Sequence, residues 1–315
     1  MDTCVSFSGV SKVFTGPVSL WRPWAPRRRT EALADVDVDV GFGEVVCLVG
    51  PNGAGKTTLL KIAAGAVLPD RGRVRVNAAS VGFVAGGERS FYWRLSAAEN
   101  LRFFAVLYGL PAREVGAGVA RALARVGLAD RARDPVRAYS SGMRQRLAFA
   151  RALLVDPALL LVDELAGELD YATTLALARF VRDDLVGGEG RSALVATHQL
   201  WLARMIADRV VVLAGGRVVA AGPPEAVLGV PAARYGARLP RENESVIAAL
   251  GGHVADVAVE ARAGGVFVSF TEPEEAEALA AAFEVLAAAG ASRPVRIAGE
   301  AETAYLALLS GRGDV

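Results

Sequence analysis

YSSGMRQRLAFARALL, residues 139–154, opens on a Ser-x-Gly turn and continues as a good helix. Ser140 stands where an N-cap belongs. The Gly142 amide lies in the first turn, where backbone donors lack intrahelical partners and the helix dipole favours an anion. Ser140 therefore reads as a cap and as a phosphate sensor, and the two roles are compatible. One further apolar strand leads into LLLVDE (159–164). Upstream, EVVCLVG (44–50) is the continuous apolar run of a strand buried on both faces, and it feeds GPNGAGKTT (50–58).

The last of these fits G-x-x-x-x-G-K-[ST], with Gly50, Gly55, Lys56 and Thr57 at the fixed positions. A strand before it and a helix after it supply the context that gives the pattern meaning. Such a loop turns its amides inward around a phosphate, because glycines tolerate the turns and leave no side chain in the way. Pro51, Asn52, Gly53, Ala54 and Thr58 complete the nucleotide-binding set. Lys56 is expected to neutralise the β and γ phosphates of ATP, and the Thr57 hydroxyl to ligate Mg²⁺. Asp163, at the end of LLLVD, is expected to hold Mg²⁺ through water. Glu164 comes next and can polarise an attacking water as general base. His198 ends SALVATH (192–198) at the carboxyl edge of a parallel sheet, where ligands bind. It becomes a candidate contact to the γ-phosphate, while His253 has no such context and reads as structural.

Bulk properties narrow the class. The 315 residues hold one large domain plus a small one, or two ordinary ones. Net charge is +1, so no strong field argues for nucleic acid. Mean hydropathy is +0.34, yet no charge-free apolar run approaches the roughly 18 residues that span a bilayer. The N-terminus lacks the basic-then-apolar layout of a signal peptide. Cys4 and Cys47 are expected as free thiols, Cys47 buried within VVCLV. Two cysteines and two histidines far apart offer no zinc-ligand spacing. Three lysines against 32 arginines, with heavy Ala and Gly usage, suggest a GC-rich bacterial genome.

Along the chain, residues 3–8 and LADVDVDV (33–40) read as strands, the second by alternation. Between them SLWRPWAPRRR (19–29) is either a solvated loop or an Arg and Trp patch for anionic headgroups or a membrane partner. GRVRVN and SVGFV are further strands. Residues 96–156 carry helical periodicity, a helical insertion whose last helix starts at the Ser-x-Gly turn. A helix over 171–186, the strand 192–198, a helix over 199–207 and a hairpin turning on Gly215-Gly216 follow. The first domain is expected to span 1–230, with a linker over 231–243. A small α+β accessory domain over 244–315 has strand-like stretches around one strong helix and a closing amphipathic helix at 299–311.

These motifs together resemble the nucleotide-binding subunits of ABC transporters, over about residues 3–228. The resemblance implies an α/β P-loop NTPase sheet with a helical signature subdomain and an antiparallel β portion. It implies ATP hydrolysis with Mg²⁺, driving transport through an integral membrane permease. The subunit would lie on the cytoplasmic face of the membrane and pair head to tail with a second copy or a related ATPase subunit. Ser140, Ser141, Gly142, Met143 and Asp170 would then touch ATP held by the partner. Glu164 takes the catalytic base position, His198 the switch histidine, and Phe14 the aromatic that stacks on adenine. Several positions depart from the family pattern. Ser141 and Met143 replace a glycine and a glutamine, and Leu165-Ala166 replaces the usual Pro-Thr after the base. The dimer-contact loop GELD (167–170) keeps Leu169 and Asp170. A glutamine that normally touches Mg²⁺ and the membrane subunit is missing near Gly87, where Glu88 could substitute, and turnover is expected to be slow for that reason.

ERSFYWRLSAAENL (88–101) resembles exporter subunits whose membrane half is a separate polypeptide. Phe91, Tyr92 and Trp93 are either core packing or part of a socket for the membrane subunit. Two other readings stay open: a soluble ABC ATPase acting on ribosome or DNA, and an ATP-sensing regulatory subunit with weak turnover.

Overall fold

The computed structural model describes residues 3–16, 29–85, 91–165, 169, 171–228, 234–240, 244–254, 257–262, 265–271, 276–292 and 294–297. They fall into two compact units, residues 3–228 and 234–297.

In the first unit, β1 (Thr3–Thr15), β2 (Arg29–Gly41) and β4 (Arg71–Val76) form an antiparallel sheet in the order β2-β1-β4. β2 shows why alternation works as a signal: Val36, Val38 and Val40 are buried, while Asp35, Asp37 and Asp39 face solvent. A second sheet runs β5-β6-β7-β3-β8-β9, from β3 (Val45–Val49), β5 (Val81–Val84), β6 (Leu159–Asp163), β7 (Ser192–Thr197), β8 (Arg209–Ala214) and β9 (Arg217–Gly222). All its pairs are parallel except the β8–β9 hairpin, which turns on Gly215-Gly216 as the dipeptide predicts. β3 is VVCLV with every residue fully buried, as covering on both faces requires. Helix α1 (Lys56–Ala63) packs Leu59, Leu60 and Ile62 into the core that the two sheets share. Cys4 and Cys47 are free and buried, and burial pushes both thiols up.

The helical insertion comprises α2 (Ala97–Leu107), α3 (Ala112–Arg125) and α4 (Ser141–Leu153). Ser96 and Glu99 start α2 with a reciprocal capping box. Buried Asn100 accepts from Tyr92 N (2.8 Å) and donates to the Tyr92 carbonyl (3.0 Å), fixing the chain that enters the helix. The helix expected over 171–186 is α5 (Tyr171–Arg179), continued by a wider π-type segment over Phe180–Gly188. Helix α6 (Leu200–Ile206) follows β7, and α7 (Pro224–Leu228) follows the hairpin.

The stretch 231–243, expected as a linker, is corrected by the second unit. Residues Arg234–Leu239 form β10, an inner strand of the sheet β11-β12-β10-β13. Its signal is short, only Tyr235, Ala237 and Leu239 pointing to the core between flanking prolines. Helix α8 (Glu244–Gly251) was also not anticipated; it precedes β11 (Ala258–Arg262) and β12 (Gly265–Thr271). Helix α9 (Ala276–Ala288) and β13 (Val295–Ile297) complete a βαββαβ order with antiparallel neighbours, a ferredoxin-like arrangement. Leu250, Val268, Phe270 and Leu286 centre its core. The closing helix expected over 299–311 lies outside the described residues, as do 19–28, Gly87, Glu88, Ala166 and Asp170.

Candidate ATP site

Residues 50–55 leave the end of β3 and turn directly into α1. Gly55 caps that helix at φ +105, a conformation side-chain-bearing residues avoid. Gly55 has no side chain to cap the first-turn amides, which leaves them open to an anion. A cavity of about 540 Å³ lies over them, lined by Asn52, Gly53, Ala54, Gly55, Lys56, Thr57, Thr58, Asp163, Glu164, Phe14, Thr30 and Ala32. The expected nucleotide residues thus share one cavity with both carboxylates and with Phe14, which is 42% exposed. Gly50 and Pro51 approach it by another route: their carbonyls accept from Lys56 Nζ at 2.6 and 3.0 Å. Burial lowers the Lys56 pKa, and Glu164 and Asp163 oppose that shift by their charge.

Thr57 Oγ1 donates to Asp163 Oδ1 at 2.9 Å. These are two hard oxygen donors brought together from α1 and β6. Among the described residues no group of three His, Cys, Asp or Glu could hold a metal. The Thr57 and Asp163 oxygens are the one or two protein donors that Mg²⁺ takes when phosphates and water complete its shell.

Glu164 sits just past β6 at φ +65, a left-handed conformation uncommon for a residue with a side chain. Its amide donates to the Ala196 carbonyl (3.0 Å). Its carboxylate lies 2.9 Å from His198 Nδ1 and accepts from Thr197 Oγ1 at 3.4 Å. His198 therefore lies beside Glu164, one strand over from Asp163, because β6 and β7 are parallel neighbours. Thr197 was not anticipated. Its signal was a hydroxyl closing an apolar strand, and it is fully buried.

The Ser-x-Gly turn is separate from this cavity. Ser140 caps α4, its Oγ accepting from Met143 N at 3.3 Å, as the sequence predicts. Ser140, Ser141 and Gly142 border a second cavity of about 590 Å³ with Arg146, Thr173 and Leu177. Met143 is half-buried in the first turn of α4.

Comparison with known proteins settles the class. The ABC transporter family matches residues 33–167. The ABC transporter ATP-binding protein NatA of Bacillus subtilis is 32% identical over 212 residues, covering 64% of this chain and 85% of NatA. The lipoprotein-releasing system ATP-binding protein LolD 1 of Rhodospirillum rubrum is 39% identical over 210 residues, 62% and 92% of the two chains. Methionine import ATP-binding protein MetN 1 of Rhodococcus jostii is 36% identical over 240 residues, 70% and 69% of the two chains. The cassette fold recurs in cbiO1 of Clostridium perfringens, with a TM-score of 0.61, 24% identity and coverage of 72% and 91%. It recurs also in the cassette MJ0796 bound to ADP and Pi, with a TM-score of 0.59, 24% identity and coverage of 70% and 98%. The chain belongs to the ABC transporter family. It is an ATP-binding subunit, and its activity is ATP hydrolysis.

Proposed function

We propose that this chain is the energy-coupling subunit of an exporter whose permease is a separate polypeptide. It binds at the cytoplasmic face of the membrane and closes head to tail on a second copy or a related subunit. The observation that carries the docking is an exposed apolar surface on the helical insertion. Phe91 is buried, but Tyr92 and Trp93 are 50% and 40% exposed, and Val106 and Leu107 are each 65% exposed. Patches of this kind mark interaction sites. Trp93 also packs under the Arg144 guanidinium of α4, 5.4 Å from ring to cation, so the surface adjoins the signature helix. Among the described residues no helix is long and apolar enough to cross a membrane, which suits a separate permease. The relatives include import and release systems alike; export is inferred from the likeness of residues 88–101 to exporter subunits.

In this reading Phe14 stacks on adenine and the loop amides with Lys56 hold the phosphates. Mg²⁺, held by Thr57 and Asp163, supplies charge neutralisation on the phosphate oxygens when bound. Glu164 takes a proton from the attacking water, the new O–P bond forms at the γ-phosphorus, and ADP leaves with the electrons of the broken bond. His198 and Thr197 hold the carboxylate for that transfer. Ser140, Ser141, Gly142, Met143 and Asp170 meet the partner's ATP.

Glu164→Gln is expected to retain ATP binding, lower turnover at least about 100-fold and accumulate dimer. Steady-state ATPase rates, nucleotide titration and sizing in ATP measure this, and undiminished hydrolysis would refute the base. Pull-down of the tagged chain from native membranes in mild detergent should recover a polytopic membrane protein in stoichiometric amount. Recovery of ribosomal or DNA-bound proteins instead would refute the transport reading.

A further inference from the structure

We infer that Gln145 of the signature helix is a positioning residue for the general base of the same subunit. The inference rests on the reading of Glu164 as that base. Gln145 lies on α4 just past the Ser-x-Gly turn. Its Nε2 donates to two successive carbonyls, Glu164 O at 3.3 Å and Leu165 O at 3.2 Å.

The reason such a brace is needed lies in the backbone. Glu164 occupies the left-handed region at φ +65, where a residue with a Cβ is strained by about 1–3 kcal/mol. A strained peptide persists only when its surroundings hold it from more than one side. On one side the Glu164 amide is held by the Ala196 carbonyl at 3.0 Å. On the other, Gln145 holds the carbonyls of the turn that leaves Glu164. His198 and Thr197 then fix the carboxylate itself. Removing the Gln145 donor frees the peptide that aims the carboxylate and leaves its anchors on β7 intact.

The same side chain joins two events. Ser140 and Gly142 begin the helix that carries Gln145, so α4 meets ATP in one site while gripping the base of the other. Gln145 therefore stands between the signature turn and Glu164 of the same subunit.

The test uses the full chain with two substitutions of similar reach. Gln145→Glu keeps the shape and helix propensity but replaces the donor by acceptors facing two carbonyls. Gln145→Lys retains a donor that reaches both. Gln145→Glu should lower kcat by about 10-fold or more, since small misplacements of a catalytic group are costly. Its KM and its ATP affinity by equilibrium titration should stay within about twofold. Gln145→Lys should stay within about threefold of the parent in kcat, a rescue that mere packing of a side chain would not give. Equal loss in both variants, a loss confined to KM, or an unchanged kcat in Gln145→Glu overturns the inference. Glu164→Gln run alongside separates the two ideas. If it abolishes turnover while Gln145→Glu does not lower it, only the positioning role fails; if it leaves turnover intact, the base assignment fails and the inference with it.

Discussion

Two glycine-bearing turns open helices in this subunit, and their surroundings differ in kind. At α1 the cap is Gly55, with no side chain on the first-turn amides, and a Cβ there would lie 2.4 Å from the Ala32 carbonyl oxygen. At α4 the cap is Ser140, which already accepts from Met143 N, and a Cβ at Gly142 would meet Thr173 Cγ2 at 2.9 Å. The Gly55 cap is met most closely by backbone, which cannot step aside. The signature turn is enclosed by a side chain, which can. The first is a seat of fixed shape whose amides await a phosphate. The second is partly satisfied by its own cap, and it offers a phosphate the Ser140 hydroxyl proton and the first-turn amides that the cap leaves unpaired.

Gly55→Ala probes the rigid member of the pair and should have the largest effect. A left-handed conformation and a backbone clash together should remove on the order of 3 kcal/mol of stability. Nucleotide binding should weaken more than 100-fold, read by chemical denaturation and by titration with ATP. A stable variant of ordinary affinity would show that the loop has more room than its contacts allow.

Gly142→Ala should cost less, about 1–3 kcal/mol for overpacking against one methyl. Adding Thr173→Ser, which deletes that methyl and keeps the hydroxyl, should recover at least half of the loss in thermal unfolding. No recovery would mean that the α4 turn is as rigid as the phosphate loop. Ser140→Ala sharpens the distinction with the smallest change, about 1 kcal/mol of cap energy, seen as a lowered unfolding midpoint. Monomeric ATP binding should be untouched because Ser140 is absent from the phosphate-loop cavity. A matching loss of monomeric affinity would join the two turns into one site.

Much of the chain was legible because its signals are local. The phosphate loop, the Ser140 cap, the β2 alternation and the Gly215-Gly216 hairpin each lie within a few residues of the groups they organise. Residues 234–239 carry little strand signal in sequence because the strand is short and its apolar positions acquire meaning only against β12 and α9. Phe91, Tyr92 and Trp93 could not be sorted by composition. Buried Phe91 lies 5.0 Å from the Arg151 guanidinium, which also packs on Phe104 at 4.9 Å, whereas its two neighbours face solvent. Thr197 and Gln145 escaped notice because their partners are 33 and about 20 residues away along the chain.

By itself the sequence determined that ATP is bound and hydrolysed here, since glycine spacing, a following Lys-Thr and a strand ending in Asp-Glu encode that chemistry through covalent neighbours. Only the tertiary structure decided how Glu164 is held. Parallel pairing of β6 with β7 sets His198 and Thr197 on the Glu164 carboxylate, and packing of α4 sets Gln145 on its backbone. Those contacts join segments distant in the chain, and no local pattern records which of them a folded core will bring together.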